Sequence, residues 1–227
     1  MIDFQKLIVD DIEKNRNRRP PRDDSVYASE LGYCKRRTYY AHTDPREFPP
    51  ETLMLFEVGD IIHKKFDELL EANAKKLGIA EIIPEGYVAL YLPEDDLRIT
   101  GYFDNLLIFN DGRRHLIEKK SASRIDNLDS PFNHHLLQTT VYQKATGADT
   151  AEIVYCNKND MQVKSFDIDF NPEIFDEAIY RAKDVHYAMR NGAPPEPEGR
   201  LTPSRRWECK YCLWPDNCER DGGYNGR

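Results

Sequence analysis

The stretch from Arg98 to Ser123 (RITGYFDNLLIFNDGRRHLIEKKSAS) constrains the fold more than any other part of the chain. Apolar runs on either side of Asn110-Asp111-Gly112 describe two strands joined by a tight turn, because Gly accepts the positive φ that a hairpin loop demands. Two acids, Asp104 and Glu118, and one lysine, Lys120, interrupt those runs. Register decides whether they meet. A three-residue loop, Asn110 to Gly112, pairs Phe109 with Arg113 and therefore Asp104 with Glu118, and Lys120 joins their face two residues on. A two-residue loop pairs Asp104 with Lys119 and turns the acids to opposite faces. The three-residue loop, or a bulge of equal effect, is the expectation, and it suggests a divalent-metal site that activates water. The plainer alternative is a hairpin whose charges face solvent.

At 227 residues the chain is long enough for one large domain, expected to span 1–227. A formal charge of −8 argues against a protein coated in basic surface. Any nucleic-acid contact must then come from a local patch. Candidates are Arg16, Arg18, Arg19 and Arg22, then Lys35, Arg36 and Arg37, then Lys64, Lys65, Arg205 and Arg206. The opening MIDFQKLIVDDIEKN is amphipathic and acidic, unlike a signal peptide, and no apolar run approaches the roughly 20 residues needed to span a bilayer. A cytoplasmic protein is expected, in which five cysteines suit metal binding better than disulfides.

Residues 3 to 15 read as a first helix, and Arg16 to Asp24 as an Arg- and Pro-rich loop. Tyr27 to Tyr40 reads as a short helix opened by Ser29 and carrying Cys34. A long helix follows from about Glu51 to Leu77, closed by Gly78, with Leu55, Val58, Ile62, Phe66, Leu69 and Leu70 as its apolar stripe. His63 sits beside that stripe, one turn after Gly59, where the missing side chain allows another element close. Glu85 to Leu92 reads as a strand before the hairpin. Ser130-Pro131 is expected to open a helix that stops at Gly147, with Gln138 and Tyr142 on one face. Two strands, Ala151 to Asn157 and Val163 to Phe170, precede a helix from Asn171-Pro172 to Gly192 and an extended linker, APPEPEGRLTP. This order implies an α/β fold, a mixed central sheet flanked by helices.

Cys209-x2-Cys212-x5-Cys218 provides three thiolates close together, so a fourth ligand must come from afar. Cys34 is the natural candidate, whereas Cys156 falls in a core strand and suits a small buried hydrophobe. Zinc sites usually pair two ligand knuckles, and only one is present; an iron–sulfur cluster with one distant and three clustered cysteines is the alternative, preferred once the resemblance below is counted. Either metal would tie the chain ends together.

Taken in order, Gly59-x3-His63, Gly101-x2-Asp104, Glu118-x-Lys120 and Gln138-x3-Tyr142 resemble the motifs of RecB-type nucleases in the PD-(D/E)XK superfamily. The cysteine frame, and the segment ASELGYCKRRTYY with Lys35 where a proline is common, resemble the iron–sulfur frame of the CRISPR-associated member, the fourth Cas protein. The same frame recurs in AddB-type recombination nucleases and viral exonucleases. The resemblance covers Ser29 to Cys218. It implies a PD-(D/E)XK core in which 24–45 and 199–227 form a subdomain around a four-cysteine cluster, 4Fe-4S, on Cys34, Cys209, Cys212 and Cys218. It implies a DNA exonuclease dependent on Mn²⁺ or Mg²⁺, with His63, Asp104, Glu118 and the Lys119 carbonyl as metal ligands and Asp104, Glu118 and Lys120 as catalytic residues. Gln138, Tyr142, Arg36 and Arg37 would contact DNA. Single strands or overhangs are the implied substrate, and CRISPR integrase proteins are implied partners. A viral or repair exonuclease, or a catalytically silent DNA-binding module, remains open.

Overall fold

The computed structural model describes residues 2–16 and 25–222. Arg18, Arg19 and Arg22 of the expected basic patch, the side chain of Arg16, and most of the Arg- and Pro-rich loop lie outside the described residues. The elements run α1 (Phe4–Arg16), β1 (Val26–Tyr27), a 3₁₀ turn (Ala28–Glu30), α2 (Lys35–Thr43), α3 (Pro50–Leu77), β2 (Ile79–Leu92), β3 (Leu97–Phe109) and β4 (Arg114–Ala122). Then come α4 (Asn133–Thr146), β5 (Thr150–Asn157), β6 (Val163–Ile168), α5 (Pro172–Asn191), α6 (Glu198–Leu201), a 3₁₀ segment (Pro203–Tyr211) and α7 (Pro215–Arg220). The expected α/β order of helices, three strands, helix, two strands and helix holds, with one short added strand and the small C-terminal helices.

The six strands form one mixed sheet in the order β1-β3-β4-β5-β6, with β2 on the other edge of β3. Strand periodicity separates two layers of packing. Leu106, Leu116, Ile153 and Tyr155 meet α4 and α5 through Leu137, Val141, Tyr142, Ala178 and Ala182. The intervening Leu107, Ile117 and Val154 turn the other way and meet Phe66, Leu70 and Ala74 of α3. The β3–β4 turn is the three-residue loop: Phe109 N–H donates to the Arg113 carbonyl at 2.9 Å, and Gly112 has φ 86°. The ladder pairs Ile108 with Arg114 through Asn105 with Ile117, so one further step sets Asp104 opposite Glu118.

Several local expectations are corrected. The helix after β1 starts at Lys35 with Cys34 as its N-terminal flanking residue, and Ser29 lies in the 3₁₀ turn instead of capping it. The fourth helix starts at Asn133, past Ser130-Pro131. β2 begins at Ile79, six residues earlier than expected, straight after Gly78 closes α3 with φ 73°. Along α3 the buried positions are Leu53, Gly59 and Ile62, while Leu55, Val58 and Leu69 are exposed. Helical spacing alone fits two adjacent stripes, and the choice between them is made by the sheet. α3 packs on the Ile117 side of the sheet, opposite the face that carries Glu118 and Lys120, as the placement of His63 on the helix did not reveal.

Candidate active site and cysteine cavity

The hairpin ladder stops at Asn105 and Ile117, and the strand ends beyond it carry the two acids. Lys119 N–H, on the edge of β4 that β3 no longer covers, donates to Asp104 Oδ2 at 2.6 Å. A side-chain carboxylate thus satisfies a backbone donor that would otherwise be orphaned. The other oxygen, Asp104 Oδ1, lies 3.3 Å from His63 Nδ1, which α3 brings in from the opposite layer. Gly59 makes that approach possible: a Cβ there would stand 3.1 Å from Ser121 Oγ on β4. Burial works to raise the Asp104 carboxyl. The His63 contact, the Lys120 charge and the Lys119 amide outweigh it and hold the group below the usual carboxylate range.

Glu118 is 2% exposed. Its Oε1 takes a hydrogen bond from Lys120 Nζ at 2.6 Å, while Oε2 is buried with no hydrogen-bond partner among the described residues. Burial first, and the Asp104 charge after it, push this carboxyl up to about 7 against the pull of Lys120. A buried acid with one bare oxygen beside a second carboxylate is a site that lacks positive charge. Lys120 also donates to Gln138 Oε1 at 3.0 Å, and Gln138 Nε2 donates to Tyr142 Oη at 3.2 Å. Burial would lower the Lys120 ammonium, but the Glu118 and Asp104 charges more than reverse it and keep it protonated. Tyr142 is 1% exposed, and its hydroxyl seats where Gly101 has no Cβ, which would stand 2.4 Å away.

Sequence reasoning missed the second layer. Lys119 turns its side chain to the α3 side, where Nζ donates to Asp67 Oδ1 at 2.7 Å and to the His63 carbonyl at 3.3 Å. Asn105 Nδ2 donates to the same Asp67 oxygen at 2.9 Å. This net fixes the turn of α3 that presents His63. Asp67 lies four residues after His63, a helical neighbour, and that spacing was the available signal.

The structure brings His63, Asp104, Glu118, Lys120, Gln138 and Tyr142 together and separates the two arginines. Arg36 is buried, and its guanidinium donates to the carbonyls of Pro195, Cys218 and Asp221. It is a clamp between α2 and the C-terminal segment, buried away from the Asp104 cluster's cleft, whose lining does not include it. Arg37 instead lies 4.4 Å over the Tyr33 ring and lines a cleft that reaches Lys120.

Cys34, Cys209, Cys212 and Cys218 line one cavity at the junction of the chain ends, and Cys156 is buried apart in β5. Gly199 backs the cavity: a Cβ there would lie 3.2 Å from Cys209 Sγ and 3.7 Å from Cys34 Cβ. Burial first, then the neighbouring cysteines, push the Cys209 thiol up. Among the described residues no three His, Cys, Asp or Glu side chains stand close enough to enclose a single ion. The ends are also joined by the chain's own bonds. Cys34 N–H donates to Glu208 at 2.7 Å, Tyr40 Oη to Asp221 at 2.7 Å, and Trp214 Nε1 to the Asp44 carbonyl at 2.7 Å. The proline-rich linker is ordered in part by Glu198, which accepts from Arg181 and the Lys35 amide.

Among the described residues no helix is long and apolar enough to cross a membrane. A CRISPR-associated exonuclease Cas4 from Saccharolobus solfataricus is 24% identical over 203 residues, 86% of this chain and 88% of that protein. The crystal structure of SSO0001 superposes with a TM-score of 0.68 at 19% identity, covering 92% of each chain, a likeness of fold. A phage related exonuclease from Haemophilus somnus 129PT matches more loosely, with a TM-score of 0.48 and 11% identity over 74% of this chain and 96% of that one. The sequence model of the PD-(D/E)XK nuclease superfamily matches residues 12–219, which takes in the whole Asp104 cluster and all four cavity cysteines. The chain therefore belongs to the PD-(D/E)XK nuclease superfamily.

Proposed function

We propose that this chain is a divalent-metal-dependent DNA exonuclease acting on single strands or overhangs. The observation that carries the reading is the bare, buried Glu118 Oε2 beside Asp104, His63 and Lys120 at the end of the hairpin ladder. The donor set fits a hard divalent cation, with one imidazole nitrogen that favours Mn²⁺ over Mg²⁺. His63, Asp104, Glu118 and the Lys119 carbonyl would hold it, drawing closer around the ion than the three side chains stand in the structure. When bound, such an ion lowers the pKa of a water and offsets charge on the phosphoryl oxygens.

The remaining work falls to the chain's own groups. Lys120, kept protonated by the two acids, orients the attacking water and offsets charge as the phosphodiester opens. Gln138 fixes the Lys120 ammonium, and Tyr142 fixes Gln138. Gln138, at the cleft, is also placed to contact the DNA backbone. Tyr142 is too buried for that and acts as a positioning residue.

The cavity of four cysteines suits a 4Fe-4S cluster, with residues 24–45 and 199–227 as its subdomain within one nuclease domain. The Cas4 relative supports a role in CRISPR adaptation, trimming DNA alongside integrase proteins in the cytoplasm. The test is cleavage of end-labelled single-stranded DNA with Mn²⁺ by wild type, Asp104→Ala and Glu118→Ala. Loss of cutting in both variants is expected, and equal cutting by either would sink the assignment.

A further inference from the structure

A cleft of about 360 Å³ opens beside the Asp104 cluster, and Lys120 and Gln138 form part of its lining. The loop before α3 and the first turns of α3 supply one wall, Phe48 and Phe56, with rings edge-on at 5.3 Å. Phe56 is 45% exposed, a large apolar ring that the core does not claim. It lies seven residues before His63, two helical turns, and so on the same face of α3 about 10 Å along the axis.

Several other groups at the cleft are held by their neighbours. Arg46 is held by Asp44, the Leu213 carbonyl and Asn217. Glu30 holds His42 at 2.8 Å. Tyr33 is capped by the Arg37 guanidinium on its face and flanked by His134 at 5.1 Å. The half-exposed Phe56 ring shares the lining of this space with two cations, Arg37, which rests on the Tyr33 ring, and Lys120, which Glu118 and Gln138 hold at its edge. An unpaired base has a free π-face and a charged phosphate, and this wall and these cations match both.

We propose that the cleft is a nucleotide subsite, in which an unpaired base of the substrate strand stacks on Phe56 with its phosphate toward Arg37. The inference rests on the nuclease reading and adds the nucleotide next to the phosphodiester being cut. The space sits at the small end of ligand pockets, roughly 300 to 1,000 Å³, room for one nucleotide. A base inside a duplex has both faces covered by its neighbours, so the subsite selects unpaired strand. Stacking on a phenyl ring tolerates any base, so it does so without reading sequence.

The test is fluorescence anisotropy of a short labelled single strand at low salt in EDTA, which stops cutting during the measurement. Wild type and Phe56→Ala are each titrated with the intact strand and with strands carrying one abasic nucleotide at successive positions. Phe56→Ala is expected to raise Kd roughly 5- to 150-fold, the range for loss of one base–aromatic stack. One abasic position should weaken wild type by a similar factor and cost the variant nothing more. No measurable affinity in wild type, equal affinity of the variant, or additive losses at every position overturns the subsite. The abasic series on wild type reads it even where the variant folds poorly. Cutting with Mn²⁺ but without this pattern removes the subsite alone; the pattern without cutting removes the nuclease reading and keeps the subsite.

Discussion

Gly101→Ala tests how the core supports the site. A Cβ at Gly101 would stand 2.4 Å from Tyr142 Oη, 2.8 Å from Cε1 and 2.9 Å from Cζ, well inside van der Waals contact. Tyr142 is 1% exposed and packed among Leu106, Leu137 and Val141, so the ring cannot yield without disturbing its neighbours. Overpacking of this kind costs about 1–3 kcal/mol. Replacing Gly in a strand returns ~0.4–1 kcal/mol through the unfolded chain. The net loss is then about 1–2 kcal/mol, which for a domain of this size lowers Tm by roughly 2–8 °C. Displacing the tyrosine also strains the chain from Tyr142 through Gln138 to Lys120, so cleavage should fall further than the stability loss explains. Urea melts and single-turnover cleavage measure the two effects. Tyr142→Phe removes the nearest atom, so in the double variant the Gly101→Ala penalty should shrink, a coupling of about 0.5 kcal/mol or more. Wild-type stability and rate in Gly101→Ala, or strict additivity with Tyr142→Phe, refutes the reasoning.

Arg181→Met should cost about 3–5 kcal/mol in a urea melt, because a buried guanidinium that bonds Glu198 and the Leu31 and Tyr33 carbonyls leaves all three without it. His134 is pushed down to about 4 by burial first and by the Lys120, Arg205 and Arg37 charges after it, and His135 moves the same way. Below its ordinary value of 6.5 the unfolded chain binds a proton that the folded chain refuses. This contribution falls as pH drops from 6.5 toward 4, while the raised Glu118 carboxyl contributes the opposite slope up to about pH 7, so the readout is the difference: the midpoint of His134→Phe should lose less than that of wild type as pH drops from 6.5 to 4. Visible charge-transfer absorption of anaerobically purified protein should disappear in Cys209→Ser and persist in Cys156→Ala, because only the first cysteine lines the shared cavity. A colourless wild type holding one zinc would overturn the cluster.

Much of the site was legible because its signals are local. Asn110-Asp111-Gly112 placed the turn and left a two- or three-residue loop open, and the three-residue loop of the structure sets Asp104 against Glu118. Gly59 and Gly101 mark close approaches, to Ser121 and to Tyr142. What escaped depends on contacts between distant segments. The exposed Leu55 and Val58 match a helical stripe as well as Leu53 and Ile62 do, and only the position of the sheet separates them. Arg36 reads as one more basic residue until the Pro195, Cys218 and Asp221 carbonyls converge on it from far along the chain. The long helix reaches Asp104 from the Lys119 side of the sheet because the hairpin ladder ends at Asn105, and no periodicity encodes where a ladder stops.

Calorimetric titration of Mn²⁺ into wild type and Asp104→Ala, with cleavage of single-stranded DNA followed in the same samples, bears most directly on the central claim. Saturable Mn²⁺ binding and cutting in wild type, with both lost together in the variant, is the predicted result. A variant that binds Mn²⁺ and cuts DNA as wild type does would contradict it.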